Sequence, residues 1–319
     1  DLHPECRRFR RFGGWASRHN DVGKPKLPFM VFGSNNFSDI QLTDWPQREK
    51  SDALTVTVAN VERVAPDLLE ISVVAPELRD HQLVGPDEFF GLLMPGPGKD
   101  YVPLTTTRVS NLRAQLAALP DAVRPDLRWY TVRSLDRAAG TLSFLLVTHG
   151  VSDASDTDIG PALRWALRVA PGDTCGIYPA NGLWFRREPK PGTSQLLVAD
   201  PTAAPSVAAI LEFLEQFHPA ELAAADVVFA ATTNDEFEPG LVERWQSRVR
   251  SLALVTAQQD RLLEAVVSEL RSHERPESVW CCGERDLAAG VRRFAVQEWG
   301  IDPKNVTFSA FWIRGQARG

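Results

Sequence analysis

The chain of 319 residues lacks several features that mark whole classes of protein. No apolar run approaches the roughly 18 residues of a membrane-spanning helix, so no membrane span is predicted. The N-terminal stretch is polar and basic, unlike a signal peptide. Positive charge is not in excess, since the formal net charge is −6, which argues against a nucleic-acid partner. The composition, 44% hydrophobic and 24% charged, is typical of a soluble globular protein.

Cysteine is also scarce, with four residues in the whole chain. Cys6, Cys175, Cys281 and Cys282 do not have the spacing of a disulfide framework. No histidine or further cysteine lies at zinc-ligand spacing around them, so no metal site is predicted. Together these absences favour a reducing cytoplasm as the location of the protein.

With 319 residues the chain is longer than a typical domain with a single hydrophobic core, so we expect two domains. Residues 51–190 contain short segments that alternate between apolar and polar residues and are bounded by turns, which predicts strands. The predicted strands are 54–64, 68–75, 89–94, 129–132, 142–147 and 174–178, and a short helix is predicted at 108–119. Six short strands of this kind predict a small antiparallel β-barrel.

Residues 191–319 show a different pattern, in which wholly apolar runs alternate with helical segments. The apolar runs, typical of buried parallel strands, are 196–199, 227–231, 252–255, 279–282 and 306–311. Helices are predicted between them at 203–217, 261–272 and 286–298. This alternation predicts a doubly wound parallel α/β domain, although the fingerprint G-x-G-x-x-G is absent. Ligands of such domains bind beyond the carboxyl ends of the strands.

Residues 1–50 are expected to form an N-terminal extension. Glycine and proline interrupt this segment too often for a regular helix or strand. Two hypotheses remain open for it. It is either a surface arm that packs on the main body or on a second copy, or an arm that covers the active site or binds a partner.

The segment Arg128–Arg133, with the sequence Arg-Trp-Tyr-Thr-Val-Arg, is the strongest candidate for a ligand site. Alternate side chains of a strand share a face, so Arg128 and Tyr130 are expected to lie together. A guanidinium can pair with a phosphate through two parallel hydrogen bonds, and a tyrosine ring offers an apolar surface. Residues 160–170 are a second candidate, because Pro161 suits the first turn of a helix and helix N-termini attract phosphate.

The segment Arg128–Arg133 matches R-x-Y-[ST]-x-R, the flavin motif of ferredoxin-reductase-like enzymes, and further motifs follow it in order. They are His149-Gly150, Gly160-Pro161-Ala162, Trp165-Ala166, Pro171-Gly172-Asp173, Pro179 to Gly182, Asp200-Pro201-Thr202-Ala203-Ala204-Pro205, Trp280 to Glu284, and Phe311 to Gly315. Through these motifs residues 54–315 resemble the siderophore-interacting proteins, which are flavin-dependent ferric-siderophore reductases. The sequence departs from the usual pattern of that family at five positions, which are Leu163, Ala199, Pro201, Ala310 and Phe311.

The resemblance implies a β + α/β fold, with an FAD-binding β-barrel in residues 51–190 and a nicotinamide-binding α/β domain in residues 191–319. The residues it implies for FAD are Arg128, Tyr130, Thr131, Val132, Arg133, His149, Gly160, Pro161, Ala162, Trp165, Thr202, Ala203 and Trp312. Those it implies for the nicotinamide are Asp200, Cys282, Gly283 and Glu284.

The implied reaction passes electrons from NAD(P)H through FAD to Fe(III) in a siderophore, which then releases Fe(II). The flavin performs this chemistry, so no protein nucleophile is required. Ferredoxin as donor, another acceptor, and a flavin-bound partner protein without turnover all remain open. Because ferric siderophores are often anionic, a basic docking patch is predicted at Arg186, Arg187 and Arg314. The alternative is that these arginines are solvated surface charges or form an ion pair at the domain interface.

Overall fold

The computed structural model describes residues 37–38, 42–104, 111–153, 159–188 and 190–315. Its strands form two sheets, one within residues 54–179 and the other within residues 195–312. The first sheet is antiparallel and the second is parallel, as the two sequence patterns predict. Within these ranges no helix has both the length and the apolar character needed to cross a bilayer.

The antiparallel sheet has seven strands in the order β4-β3-β7-β1-β2-β6-β5. They are β1 (Leu54–Ala65), β2 (Leu68–Val74), β3 (Phe89–Met94), β4 (Asp126–Thr131), β5 (Ser134–Asp136), β6 (Thr141–Val147) and β7 (Thr174–Pro179). The two outermost strands, β4 and β5, are consecutive in the chain and only Val132 and Arg133 separate them. The chain itself therefore joins the two ends of the sheet, which closes as a barrel.

Both residues of this closure bond to the barrel through their backbones. The Val132 N–H donates to the carbonyl of Glu88 at 2.8 Å, and the Arg133 N–H donates to the carbonyl of Ser143 at 2.9 Å. Inside the barrel, the rings of Phe90 and Phe144 meet edge to face with their centres 5.3 Å apart. A short helix, α2 (Pro161–Ala166), packs against β4 and buries Trp165 in the same core. A second short helix, α1 (Leu112–Ala117), buries Leu112 and Leu116 in a separate cluster.

The parallel sheet has five strands in the order β10-β9-β8-β11-β12. They are β8 (Gln195–Ala199), β9 (Ala225–Ala231), β10 (Ser251–Thr256), β11 (Ser278–Glu284) and β12 (Val306–Trp312). The helices of this domain are α3 (Ala204–Phe217), α4 (Pro219–Ala223), α5 (Leu241–Trp245), α6 (Leu262–Leu270) and α7 (Arg285–Gln297). Every residue of β8 and β9 is buried, because apolar clusters cover both faces of the sheet. This explains why these strands show no alternation in the sequence.

The strand order reverses its direction between β8 and β11. From β8 the chain moves to β9 and β10 on one side and then crosses to β11 and β12 on the other. Such a switch point opens a crevice at the carboxyl ends of the strands, where open α/β sheets bind their ligands. The sheet therefore places the residues after β8 and at the end of β11 in that crevice.

Residues 42–50, named the N-terminal strap below, contact both domains. Leu42 is buried beside Trp184 in the core of the α/β domain, and its carbonyl accepts from the Arg186 N–H at 2.7 Å. At the other end, Arg48 forms an ion pair of 2.6 Å with Glu88 of the barrel. This described part of the predicted extension packs on the main body, whereas most of residues 1–41 lie outside the described ranges.

The observed strands overlap every predicted strand, and their ends differ by a few residues. Three short elements were not predicted, namely β5, α4 and α5, which have three to five residues each. Segments this short do not complete a period that a sequence pattern can reveal. The helix predicted at 108–119 is observed from Leu112, and residues 105–110 lie outside the described ranges.

Candidate functional site

Arg128 carries a half-buried guanidinium on β4. Its Nη1 donates to the backbone carbonyl of Leu127 at 2.7 Å. Among the described residues no carboxylate forms an ion pair with it, and burial lowers its pKa, while Tyr130 and Asp126 partly oppose this shift. A half-buried cation without a carboxylate is energetically unfavourable unless an anion joins it. Arg128 is therefore suited to bind an anionic group.

Tyr130 follows on the same face of β4, as the strand period predicts. Its ring packs against Phe144 with the ring centres 5.1 Å apart, and it borders the barrel core. Burial raises the pKa of its phenol, so the hydroxyl stays protonated at any physiological pH. The tyrosine thus offers a neutral, largely apolar surface next to the cation of Arg128.

Thr131 points in the other direction, towards the second domain. Its hydroxyl lies 2.7 Å from that of Ser206, and both residues are almost fully buried. Ser206 belongs to the first turn of α3, the helix that follows the first strand of the parallel sheet. This bond joins the motif of the barrel directly to the α/β domain.

Arg133, the last residue of the motif, is buried and ion-paired. Its Nε donates to Glu238 at 2.6 Å, and its Nη2 donates to Glu212 of α3 at 3.0 Å. Although burial opposes its charge, these two carboxylates raise the pKa of Arg133. The structure therefore places this predicted flavin contact in an ion-pair network between the domains. Val132 is buried in the barrel core and contributes its backbone to the closure.

The predicted phosphate-binding turn at Gly160 lies next to β4. Gly160 precedes α2 without a side-chain cap, and a side chain there would meet open space. Pro161 occupies the first turn of this helix, while Ala162 and Trp165 are buried against the barrel core. Because α2 has only six residues, its dipole is weak and adds little to the positive charge of Arg128.

Asp200, the first residue after β8, joins the ends of three parallel strands. Its Oδ1 accepts from the Thr202 N–H at 2.9 Å and from the Thr202 hydroxyl at 2.6 Å, with the Ala203 N–H at 3.2 Å. Its Oδ2 accepts from the Glu284 N–H at 2.7 Å and from the Trp312 Nε1–H at 2.7 Å. Burial raises the pKa of Asp200, and these donors oppose that shift. The Asp200 carboxylate thus holds the carboxyl ends of β8, β11 and β12 together.

The end of β11 fits closely against Asp200. Gly283 has a φ of 134°, and a Cβ there would lie 2.5 Å from the Asp200 carboxyl carbon, so only glycine is accommodated. The side chain of Glu284 accepts hydrogen bonds from two N–H groups in the first turn of α7. Burial raises the pKa of Cys282 well above its usual value, so this residue remains a thiol. The four predicted nicotinamide residues are thus brought together.

His149 and Trp312 meet at the same edge from different domains. His149 has a φ of 51°, which turns the chain after β6, and its Nδ1 lies 2.8 Å from Glu236 of the α/β domain. The rings of His149 and Trp312 have their centres 5.8 Å apart. Together with Asp200 and Thr202 they border a cavity of about 30 Å³, far smaller than the roughly 300 Å³ of a small-molecule site. In this structure Trp312 therefore closes the crevice.

The three arginines predicted to form one docking patch are separated. Arg314 follows β12 at the carboxyl edge of the sheet, and its N–H lies 3.4 Å from Glu284. Arg186 is buried in an ion pair with Glu221, and the Nε of Arg187 donates to the carbonyl of Lys304 at 3.1 Å. These contacts lie before β9 and β12, at the amino edge of the sheet. Only Arg314 is therefore near the candidate site.

Two family models match consecutive parts of the chain. A model described as a siderophore-interacting FAD-binding domain matches residues 57–183. A second model, described as a siderophore-interacting protein, matches residues 192–315. The chain belongs to the siderophore-interacting protein family. The two matches correspond to the barrel and to the α/β domain.

Solved structures of this family share the fold. A siderophore-interacting protein from Aeromonas hydrophila is 25% identical, with a TM-score of 0.62 over 83% of this chain and 93% of that one. A siderophore utilization protein from T. fusca is 21% identical, with a TM-score of 0.61 over 86% and 98%. The ferredoxin-NADP⁺ reductase of Plasmodium falciparum is 14% identical, with a TM-score of 0.57 over 81% and 96%. The siderophore-interacting family is thus ferredoxin-reductase-like in fold.

Curated relatives include longer proteins. The mycobactin import ATP-binding/permease protein IrtA of Mycolicibacterium thermoresistibile is 24% identical over 269 residues, which are 82% of this chain and 25% of that protein. This chain therefore spans about a quarter of the relative's length. An uncharacterized protein of Mycobacterium tuberculosis is 30% identical over 213 residues, which are 63% of this chain and 69% of that protein.

The residues of the barrel fit the FAD that the family model implies. Arg128 supplies a half-buried positive charge without a carboxylate among the described residues, which suits a phosphate group. Tyr130 supplies an adjacent aromatic surface, and α2 lies against the same strand. Arg133 is occupied by carboxylates and is less suited to hold the cofactor.

Sequence reasoning missed the residues of the α/β domain that contact the barrel. Ser206, Glu212, Glu236 and Glu238 each bond to a residue of the predicted flavin site. Their partners are between 75 and 105 residues away in the chain, so no local pattern indicates these contacts. Of these four residues, the sequence indicates only Ser206, because it directly follows the motif Asp200 to Pro205.

Proposed function

We propose that this protein is an FAD-dependent reductase that transfers electrons from NAD(P)H to Fe(III) held by a siderophore. The observation that supports this best is the half-buried guanidinium of Arg128, which has no carboxylate partner among the described residues and adjoins Tyr130. This arrangement lies in the FAD-binding domain of a siderophore-interacting protein. It provides charge and apolar surface for a large anionic cofactor.

Each residue around the cofactor site has a separate role. Arg128 binds phosphate, Tyr130 provides the surface on which an aromatic ring packs, and the Thr131–Ser206 bond fixes the second domain over the site. When bound, FAD accepts a hydride from a nicotinamide and passes electrons singly to an acceptor. Trp312 and His149 line the crevice between the two domains.

Iron leaves once it is reduced, because the hard oxygen ligands of a siderophore hold Fe(II) less strongly than Fe(III). Since one relative is named for mycobactin import, a ferric siderophore of that class is the first substrate to test. We place the reaction in a reducing cytoplasm, because Cys175, Cys281 and Cys282 are buried free thiols.

Two measurements test the proposal. The purified full chain should be yellow and should release FAD on denaturation. In a stopped-flow instrument, NADH or NADPH should bleach the flavin absorbance, and ferric mycobactin should then restore it. A protein that stays colourless and takes up no added FAD would disprove the main proposal.

A second candidate function is a flavin-bound partner protein that does not turn over. The cavity of about 30 Å³ beside Trp312 has no room for a nicotinamide ring in this structure, and Ala199 and Pro201 replace the family's usual residues beside it. If neither nicotinamide bleaches bound flavin but reduced ferredoxin does, the donor is ferredoxin. If none of the three does, the non-catalytic role is favoured.

A further inference from the structure

A second cavity lies at the opposite edge of the parallel sheet from the candidate flavin site. Its volume is about 640 Å³, within the range of about 300–1,000 Å³ that is typical of small-molecule sites. Gln195, Ser278 and Thr307 border it at the amino ends of β8, β11 and β12. None of its described lining residues belongs to the crevice at Asp200 and Trp312, so the two sites are separate.

A buried ion pair in the wall of this cavity is incompletely hydrogen-bonded. Arg186 and Glu221 are both more than nine-tenths buried and contact each other through Nη1 and Oε1. The Nε–H of Arg186 and the Oε2 of Glu221 have no hydrogen-bond partner in the described part of the chain. Both atoms have almost no exposed surface, and the Arg186 Nη2 lies 3.2 Å from the Nε2 of His218, so the pair is a fixed part of the cavity wall rather than a ligand contact.

The rim of the cavity is positively charged although the chain is acidic overall. Arg187, Lys190, Arg275 and Lys304 line it and are exposed, whereas only two exposed carboxylates, Glu188 and Glu277, are among its described lining residues. Within the described ranges, Arg187, Lys190 and Arg275 form no ion pair. Such a local excess of cations attracts anions.

Two aromatic rings hold the arginines in place and give the cavity an apolar wall. The guanidinium of Arg186 lies 5.3 Å from the ring centre of Trp184. That of Arg187 lies 5.0 Å from the ring centre of Phe185. Stacking of this kind orients the guanidinium of Arg187 at the rim, where its Nε donates to the Lys304 carbonyl, whereas the guanidinium of Arg186 is held in the wall by Glu221 and His218.

We propose that this cavity binds a small organic anion. Its carboxylate or phosphate groups face Arg187, Lys190 and Arg275. This assignment is independent of the proposed reductase function, because it rests on residues at the other edge of the sheet.

Calorimetric titration of the FAD-loaded full chain tests the proposal with defined probes. Citrate and ribose 5-phosphate represent carboxylate and phosphate, and ribose is the uncharged control. At least one of the two anions should bind, and ribose should not. The anion that binds more tightly shows whether the cavity prefers a carboxylate or a phosphate. Absence of heat for both anions would overturn the proposal.

Variants of exposed rim residues locate the binding without disturbing the fold. The double variant Arg187→Ala, Lys190→Ala should weaken binding about threefold to tenfold, and the loss should shrink as salt rises. Arg293→Ala removes an equally exposed arginine that does not line the cavity and should leave binding unchanged. An equal loss in both variants would show non-specific attraction and would reject the site.

Discussion

Arg128 and Arg133 belong to one six-residue motif but occupy opposite environments. On the barrel side of β4, the Arg128 guanidinium is half-buried and has no carboxylate among the described residues. At the domain interface, Arg133 is buried between Glu212 and Glu238. The same side chain thus leaves its charge available in one region and neutralises it in the other. An available buried charge indicates a ligand site, whereas a neutralised one indicates a structural contact.

A third arginine completes the comparison. Arg314 is exposed at the carboxyl edge of the parallel sheet, and its guanidinium forms no ion pair within the described ranges. Exposure screens its charge with water and salt, so its energetic effect should be the smallest of the three. The effect of each arginine should therefore follow its burial and its partners rather than its place in a motif.

Arg133→Met should give the largest effect, which is on stability. The substitution leaves the Glu212 and Glu238 carboxylates buried without their cation, and breaking such a pair costs about 3–5 kcal/mol. The free energy of unfolding from chemical denaturation should fall by that amount. Arg244→Ala removes the more exposed partner of Glu212 and should change it by less than about 1 kcal/mol. Equal effects in the two variants would remove the distinction between the two regions.

Asp87 is a buried carboxyl group that forms no ion pair within the described ranges. Burial raises the pKa of this carboxyl to about 6, although the Leu183 and Trp184 N–H groups donate to it. The folded protein therefore binds the proton more tightly than the unfolded chain does. The stabilising contribution of the protonated group is complete below about pH 3.8 and is lost as the pH rises through about 6.

Asp87→Asn should therefore flatten the dependence of unfolding free energy on pH between about 4 and 7. The contribution of this one group is on the order of 3 kcal/mol over that interval. Denaturation curves of the two proteins at several pH values measure it. Parallel pH profiles for the original chain and the variant would contradict this prediction.

Arg128→Ala should affect the cofactor rather than the fold. Loss of a charge-assisted bond to phosphate costs roughly 1.5–3 kcal/mol, which corresponds to a dissociation constant for FAD about 10–150 times higher. Fluorescence titration of the apoprotein with FAD gives this constant. Arg137→Ala, at an exposed arginine of the barrel, should leave it unchanged. If Arg128→Ala binds FAD normally, the cofactor does not use this guanidinium.

Arg314→Glu should give the smallest effect, which is on the acceptor. Reversing an exposed charge should raise the KM for an anionic ferric siderophore by about twofold to fivefold at low salt. Flavin reduction by the nicotinamide should not change, and the KM difference should disappear as salt rises. Arg271→Glu, at an exposed site after α6, serves as the control. An unaltered KM at low salt would exclude Arg314 from docking.

The sequence was sufficient for the two-domain organisation because each sheet has its own period. Alternation along 54–64 indicates a strand that is exposed on one face, and the apolar run 227–231 indicates one that is covered on both. The carboxyl-edge residues were also predictable, since Asp200 follows the buried strand β8 and Glu284 ends the buried strand β11. A parallel sheet brings such residues together whatever their distance in the chain.

Pairing between domains was not predictable from local patterns. Arg133 and Arg128 have the same chemistry, and the strand period places them on opposite faces, but nothing in the local sequence indicates that Glu212 and Glu238 neutralise Arg133. The same holds for Arg186, whose partner Glu221 lies in a five-residue helix that no period indicates. The predicted docking patch was divided because adjacent loops of an α/β domain can lie at opposite edges of its sheet.

The N-terminal strap forms its contacts with the two domains at different times during synthesis. Its barrel anchor, the Arg48–Glu88 pair, becomes available as soon as the first strands have left the ribosome. Its other anchor, Leu42 beside Trp184, must wait until the α/β core has been made. The earliest residues of the fold are thus among the last to find their final contacts, and a barrel produced alone would leave Leu42 without its pocket.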